Sequence, residues 1–123
     1  MHIIVAFTPG SATDVIARAI GQRLSETLGQ QFIVDNRAGA GGTVGAAAVA
    51  KSPADGYTLL INDMGGHSSA PSLYSKLPYD AFRDFVPVTL AAAPPIYLVT
   101  NAGTAIRSVQ DLITLSKQTP IAY

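Results

Sequence analysis

The sequence predicts an α/β fold in three layers, with a parallel sheet, mixed at its edge, between flanking helices. Two observations carry this prediction. Short apolar runs alternate with helical patterns in the order strand, helix, strand, helix, strand over residues 3–62, and the connections between them are short. Short connections of this kind imply parallel strands with right-handed crossovers, and the expected order places the first strand in the centre.

The first strand is predicted at residues 3–7, an apolar run that ends in a Thr-Pro-Gly-Ser turn. An apolar stripe then predicts a helix of about four turns, formed by Ile16, Ile20, Leu24 and Leu28. Ser11 or Thr13 is the expected N-cap of this helix, and Gly29 is its expected stop. Arg18 and Arg23 lie off the stripe and are expected to be solvated.

The remaining elements follow from similar patterns. A second strand is predicted at residues 32–34, a Gly-rich loop at 38–42, a small-residue helix at 43–51 and a third strand at 57–62. Residues 63–84 are expected to form a long polar and aromatic connection. Two further strands are predicted at 85–92 and 96–100, a capping-box helix start at Ser108, and the beginning of another strand at 120–123.

Composition excludes several classes of protein. The 123 residues are 48% apolar and 13% charged, which excludes intrinsic disorder. Eight basic residues balance eight acidic ones, so no bulk field favours nucleic acid, and no nucleic-acid partner is expected. Without cysteine, and with two distant histidines, the chain offers no evident metal site. No apolar run approaches the length of a membrane-spanning helix, and neither metal nor cofactor is expected.

Two glycine-containing motifs resemble, in part, a nucleotide-binding loop and the nucleophile loop of a hydrolase. The loop at residues 39–42 has Gly39-x-Gly41, but the third glycine of a dinucleotide fingerprint would fall at Val44. Residues 66–70 resemble a nucleophile elbow around Ser68, but no histidine follows His67 to act as its base. A small serine hydrolase of esters or lactones, working through Ser68 or Ser11, therefore stays an alternative, as does a self-associating interaction module. The sequence predicts no catalytic residues.

Three polar, Gly-rich loops are expected at the carboxyl edge of the sheet, at residues 8–14, 36–42 and 63–69. Ligands of open α/β sheets bind at this edge. In the first loop, free backbone N–H groups and the dipole of the following helix favour a carboxylate or a phosphate. The sequence therefore predicts a non-catalytic anion-binding site.

Several runs of residues carry a resemblance to a known family. Residues 4–18 (IVAFTPGSATDVIAR) resemble the start of mature Bug-family proteins, the periplasmic solute-binding receptors of tripartite tricarboxylate transporters. Further matches, in the same order, lie at residues 34–42, 55–60, 71–74, 76–80 and 84–88. The resemblance extends over essentially the whole chain.

This resemblance implies two α/β lobes that close on a small organic acid without catalysis. The ligand would be a dicarboxylate, a tricarboxylate or an acidic amino acid, the location periplasmic, and the partners membrane transporter subunits. In the family, backbone amides of the first strand–helix loop grip the ligand carboxylate, partly through water. Carried over, the binding residues are Phe7, Thr8, Gly10, Ser11, Ala12, Thr13 and Asp14, with Gly41 and Gly42 in the second loop and Gly66, His67 and Ser68 in the third.

Two departures from the family pattern affect these expectations. Ser11 stands where members usually have a second glycine, so a hydroxyl or a crowded water bridge is expected there. Members are also more than twice as long, so residues 1–123 are expected to form a single, truncated lobe without the second lobe. A one-sided cleft predicts weak binding by the chain alone. Apolar surface and an unpaired sheet edge predict a homodimer, with strand exchange as an option.

Overall fold

The computed structural model describes residues 1–118, and the chain divides after Ala92 into two compact units. The first unit contains three strands and four helices. These are β1 (His2–Val5), α1 (Ala12–Leu28), β2 (Ile33–Asn36), α2 (Thr43–Ala50), β3 (Thr58–Ile61), α3 (Met64–Ser68) and α4 (Ala70–Leu73), with a 3₁₀ turn at Ala40–Gly42 before α2. The second unit begins at Ala93 and contains α5 (Val109–Gln118).

The three strands form one parallel sheet in the order β2-β1-β3. Val5, the last residue of β1, lies opposite Asn36 of β2 and Ile61 of β3. All three strands therefore end at the same edge, and the loops that follow them are neighbours. The α/β prediction and the central position of the first strand are both confirmed.

The sheet lies between two apolar layers, because successive side chains of a strand face opposite sides. Ile3 and Val5 of β1 pack with Ala17 of α1 and with Phe32. On the opposite face, Leu60 of β3 packs against a second cluster, formed by Ala46, Tyr79 and Ala81. The predicted three-layer arrangement follows from these two clusters.

Helix α1 has the predicted ends, and most of its predicted apolar stripe is at least half-buried. Ser11 is its N-cap, and Gly29 adopts a left-handed conformation with φ 63° at its end. Leu24 of the stripe packs against the core, whereas Leu28 is 56% exposed. The most buried positions are Asp14, Ala17 and Gly21, which the stripe did not include. Small residues face the sheet because the helix lies close to it: a Cβ at Gly21 would be 3.3 Å from Ile3 Cδ1.

Two of the predicted strands are wrong. Residues 85–92 and 96–100 have no regular secondary structure, although their sequences are apolar and β-branched. A strand requires a neighbour that supplies hydrogen bonds, and no segment among residues 1–118 pairs with either of them. The strand predicted at 120–123 lies outside the described residues.

The connection at residues 63–84 contains α3 and α4, which the sequence interpretation missed. Asp63 begins α3 because its carboxylate accepts the backbone N–H of Gly66. In the second unit, Ser108 Oγ accepts the N–H of Asp111 at 3.2 Å, which confirms the predicted capping start of α5. Asp111 in turn accepts the N–H of Arg107 at 3.0 Å.

Several large apolar side chains of the first unit are exposed, among them Leu73, Phe82 and Val86, the last with 87% of its surface accessible. The predicted self-association would use surface of this kind, and the oligomeric state stays a prediction. None of the helices in residues 1–118 combines the length and the apolar character that crossing a membrane requires.

Candidate ligand-binding site

The loops at the carboxyl edge of the sheet approach one another at two glycines. A Cβ on Gly66 of α3 would lie 2.6 Å from the backbone carbonyl oxygen of Gly41, so a side chain there would push α3 away from the second loop. A Cβ on Gly42 would lie 2.9 Å from the side-chain oxygen Oδ1 of Asn62, which follows β3. Gly42 also has a φ of 92°, a conformation that favours glycine.

A hydrogen-bond network centred on Asp14 fixes the first loop. The Asp14 carboxylate, in a side chain only 4% exposed, accepts the backbone N–H of Gly10 at 2.9 Å and Arg18 Nε at 3.0 Å. It also accepts Asn36 Nδ2 at 2.9 Å. Asn36 donates in addition to the carbonyl of Phe7, and its Oδ1 accepts Arg18 Nη2 at 2.9 Å. The network therefore joins the ends of β1 and β2 to the start of α1.

This network corrects one expectation and sets the charge of the loop. Arg18 was predicted to be solvated, but its guanidinium spans Asp14 and Asn36 and keeps about half of its surface exposed. Hydrogen bonds from Arg18, Gly10 and Asn36 lower the pKa of Asp14 to about 2. The carboxylate is ionised at neutral pH and neutralised by Arg18, so the network brings no net charge to the loop.

Acid is expected to weaken this network in a defined pH window. Because the folded pKa of Asp14 is lowered from 3.8 to about 2, its contribution to stability is complete above pH 3.8 and is lost as the pH falls toward 2. The measurement is the urea midpoint of unfolding from about pH 5 down to about pH 2 for the unsubstituted chain and for Asp14→Asn. The urea midpoint of Asp14→Asn should be lower than that of the unsubstituted chain at about pH 5, and it should decrease less steeply as the pH falls. Parallel declines would contradict the assignment.

Two amides at the start of α1 have no partner within residues 1–118. Most N–H groups of the loop are used internally: Gly10 donates to Asp14, Ser11 to the carbonyl of Thr8, and Asp14 to Ser11 Oγ. No acceptor is found in this part of the chain for the N–H groups of Ala12 and Thr13. Such first-turn amides, at the positive end of the helix dipole, are the groups that bind anions.

Ser11 is used as a helix cap. Its Oγ accepts the Asp14 N–H at 3.3 Å, and its φ of −67° is one that any residue adopts. This cap stabilises a helix by about 1 kcal/mol. It leaves the hydroxyl hydrogen free to donate, so the contact of Ser11 with a ligand stays a prediction.

An open cavity of about 360 Å³ lies at the same edge of the sheet. Phe7, Gly41 and Gly66 line it together with Leu73 and Tyr74. Its one charged lining residue, Asp63, caps α3. Of the predicted binding residues, the cavity brings together Phe7, Gly41 and Gly66. The others do not line it: Thr8, Gly10, Ser11, Ala12, Thr13, Asp14, Gly42, His67 and Ser68.

His67 points toward the aromatic residues below α3. Its Nε2 lies 2.9 Å from the carbonyl oxygen of Ala81, and its ring meets Phe85 edge to face with centroids 4.9 Å apart. The hydrolase alternative would need this imidazole to take a proton from Ser68. Within residues 1–118, no serine hydroxyl forms a hydrogen bond with His67. No group of three or more histidine, aspartate or glutamate side chains in that part could hold a metal ion.

Arg18, Asn36 and Tyr74 contact the loops of this region, although the sequence did not predict them as binding residues. Arg18 and Asn36 complete the network around Asp14, and Tyr74 contacts the second loop, where its hydroxyl donates to the carbonyl of Ala40 at 3.0 Å. The spacing of Asp14 and Arg18, four residues apart on a helix, is the signal that could have indicated an ion pair. Nothing in the sequence indicates the contacts of Asn36 or Tyr74.

Unpartnered amides and a cavity therefore lie at the edge of the sheet where α/β proteins bind small molecules. The family described as "Tripartite tricarboxylate transporter family receptor" matches residues 16–123. The chain belongs to this family of solute-binding receptors, and the resemblance to Bug proteins is confirmed.

Three relatives illustrate the similarity. Protein BugT of Bordetella pertussis is 45% identical over 125 residues, which cover 98% of this chain and 37% of BugT. The structure of R. palustris Rpa4515 with adipate matches with a TM-score of 0.89 and 42% identity, over 98% of this chain and 40% of that one. The structure of MatC from Rhodopseudomonas palustris with bound malate matches with a TM-score of 0.67 and 41% identity, over 72% and 30% of the two chains. This chain spans about a third of the length of the curated relatives it matches.

Proposed function

We propose that this chain is the ligand-binding part of a receptor for a small organic dicarboxylate, which it delivers to a tripartite tricarboxylate transporter. The observation that carries the proposal is the pair of unpartnered amides of Ala12 and Thr13 at the start of α1. Structures of relatives with adipate and with malate support the same ligand class. Tricarboxylates and acidic amino acids also carry carboxylates that these amides could bind, so the titration described below includes citrate and glutamate.

In this proposal, one carboxylate of the ligand accepts the Ala12 and Thr13 N–H groups, and its carbon chain extends past Phe7 into the cavity. Phe7 connects the two parts, because it lines the cavity and its carbonyl accepts Asn36 of the loop network. Apolar side chains such as Ala70 and Leu73 then face the methylene groups. Burial of each methylene contributes about 0.8 kcal/mol.

Neutral donors suit a receptor that must release its ligand. Arg18 belongs to the loop network, and its charge is compensated by Asp14 at 3.0 Å. Backbone amides bind an anion without a permanent opposite charge, so the complex is specific and still reversible. The proposed location is the periplasm, where a solved relative, described as a periplasmic binding protein, works.

The proposal is tested by titrating the 123-residue chain with adipate, malate, citrate and glutamate, followed by amide NMR spectra. We expect a Kd of about 1 mM for the best ligand, equivalent to about −4 kcal/mol, because a cleft open on one side excludes little water. The amides of Ala12, Thr13, Gly41 and Gly66 should shift together. Absence of shifts with all four acids would overturn the proposal, and sub-micromolar binding would contradict the open cleft.

A matched pair of variants at Ala12 isolates the amide. Ala12→Pro removes one N–H at a helix position that tolerates proline, and the extended ψ of 161° at Ser11 suits a residue before proline. We expect its Kd to rise about tenfold, as for the loss of one charge-assisted hydrogen bond, with no loss of stability. Ala12→Ser keeps the N–H and should bind as the unsubstituted chain does. Equal affinities of the two variants would show that this amide holds no carboxylate.

A further inference from the structure

Tyr74 links two loops that border the cavity. It is the residue that follows α4, and its hydroxyl crosses to the carbonyl of Ala40 in the second loop at 3.0 Å. The hydroxyl also lies beside Gly41, where an added Cβ would be 3.4 Å from it. The aromatic ring is therefore tethered at both ends, by its backbone and by its hydroxyl, which gives it a fixed position at one end of the cavity.

A second cavity adjoins the first at Tyr74. It has a volume of about 340 Å³ and is lined by Pro71, Leu77, Tyr79 and Phe82 in addition to Tyr74. Within the described residues, Tyr74 is the one side chain that lines both cavities. The ring therefore forms part of the wall between them.

One residue that lines the second cavity, Tyr79, is 7% exposed and packs in the core with Ala46 and Ala81. Its hydroxyl is buried and has no partner in the part of the chain that the structure describes. The cavity therefore offers a longer carbon chain the apolar side chains of Pro71, Leu77 and Phe82. Asp80 also lines the cavity, but its carboxylate already accepts the amides of Phe82 and Arg83 at 2.9 and 3.0 Å.

We propose that Tyr74 determines the length of ligand that the receptor accepts, by separating the cavity beside Phe7 from the cavity beside Tyr79. This inference rests on the proposed function, because it concerns the far end of a dicarboxylate whose near end binds the first loop. With the ring in place, the carbon chain ends against Tyr74. Without it, a longer chain reaches the second cavity, where its additional methylene groups contact Pro71, Leu77 and Phe82.

The test uses the 123-residue chain and the straight-chain dicarboxylates succinate, adipate, suberate and sebacate, with Kd values from amide NMR titrations. For the unsubstituted chain, affinity should fall from adipate to sebacate. For Tyr74→Ala, the ratio of sebacate to adipate affinity should rise about tenfold, because a hydrophobic pocket discriminates single methylenes by at least that factor. Tyr74→Phe keeps the ring and should keep the original order of ligands.

Tyr57→Ala is the matched control, because this side chain is 62% exposed and lines neither cavity. An unchanged sebacate-to-adipate ratio in Tyr74→Ala, or an equal change in Tyr57→Ala, would overturn the inference. If Tyr74→Ala does not fold, Tyr74→Trp provides the test. Its larger ring should lower the affinity for adipate relative to that for succinate. An unchanged ratio of the two affinities would overturn the inference. If the unsubstituted chain binds none of these acids, the proposed function fails as well, whereas binding without a length effect overturns the role of Tyr74 alone.

Discussion

Replacing Gly45 with alanine is expected to destabilise the protein by a net amount of about 3 kcal/mol. A Cβ at this position would lie 2.8 Å from the Cα of Ala6 and 3.0 Å from the carbonyl oxygen of Arg37. Both are backbone atoms held by the sheet: the Ala6 N–H donates to Ile61 and the Arg37 N–H to Val5. Helix α2 would have to move away from β1, and a gain of about 1 kcal/mol in helix propensity does not compensate for that movement.

The measurement is the free energy of unfolding in urea, with Gly65→Ala as the control. Gly65 is also helical, but a Cβ there would meet nothing closer than Asp63 Oδ1 at 3.7 Å. The control should therefore be neutral or slightly stabilising. If Gly45→Ala were as stable as Gly65→Ala, the close contact between α2 and the sheet would be contradicted.

Gly66→Ala is expected to damage the candidate site more than the fold. The new Cβ would lie 2.6 Å from the carbonyl oxygen of Gly41, so α3 and the second loop must separate by several tenths of an ångström. Overpacking of this kind costs about 1–3 kcal/mol. Because Gly41 and Gly66 both line the cavity, we also expect the affinity for adipate to fall about tenfold.

Amide NMR spectra distinguish this local effect from general destabilisation. In Gly66→Ala, the largest shifts should fall at Gly41 and its neighbours, and adipate should bind more weakly at a temperature where the chain remains folded. Gly65→Ala, one residue away in the same helix, should leave the Gly41 amide unchanged, because a Cβ there meets nothing closer than Asp63 Oδ1 at 3.7 Å. Identical spectra at Gly41 in the two variants would show that α3 does not touch the second loop.

The sequence predicted the elements whose signals are local. The strands of the sheet are short apolar runs between turn residues, and the ends of α1 at Ser11 and Gly29 depend on the chemistry of single residues. Their order along the chain then determines the parallel sheet with β1 in the centre. These features need no knowledge of distant contacts, and they are the ones that the structure confirms.

The features that the sequence did not reveal depend on distant partners. Residues 85–92 have the composition of a strand, but β propensity produces a strand only where a neighbour supplies hydrogen bonds. The stripe predicted for α1 omitted Ala17 and Gly21, the small residues that bring the helix closest to the sheet, and included Leu28, which is exposed. The contacts of Asn36 with Asp14 and Phe7 join residues 22 and 29 positions apart, which no local pattern encodes.

The backbone contacts at Gly45 and Gly66 have a consequence for how such receptors diversify. They establish the shape of the sheet edge through main-chain atoms, which stay the same whatever side chains face the cavity. Under the proposed function, substitutions at Ser69 or Leu73, which line the cavity, would change the preferred ligand while the scaffold persists. The same separation of scaffold from recognition makes this edge a practical starting point for engineered sensors of organic acids.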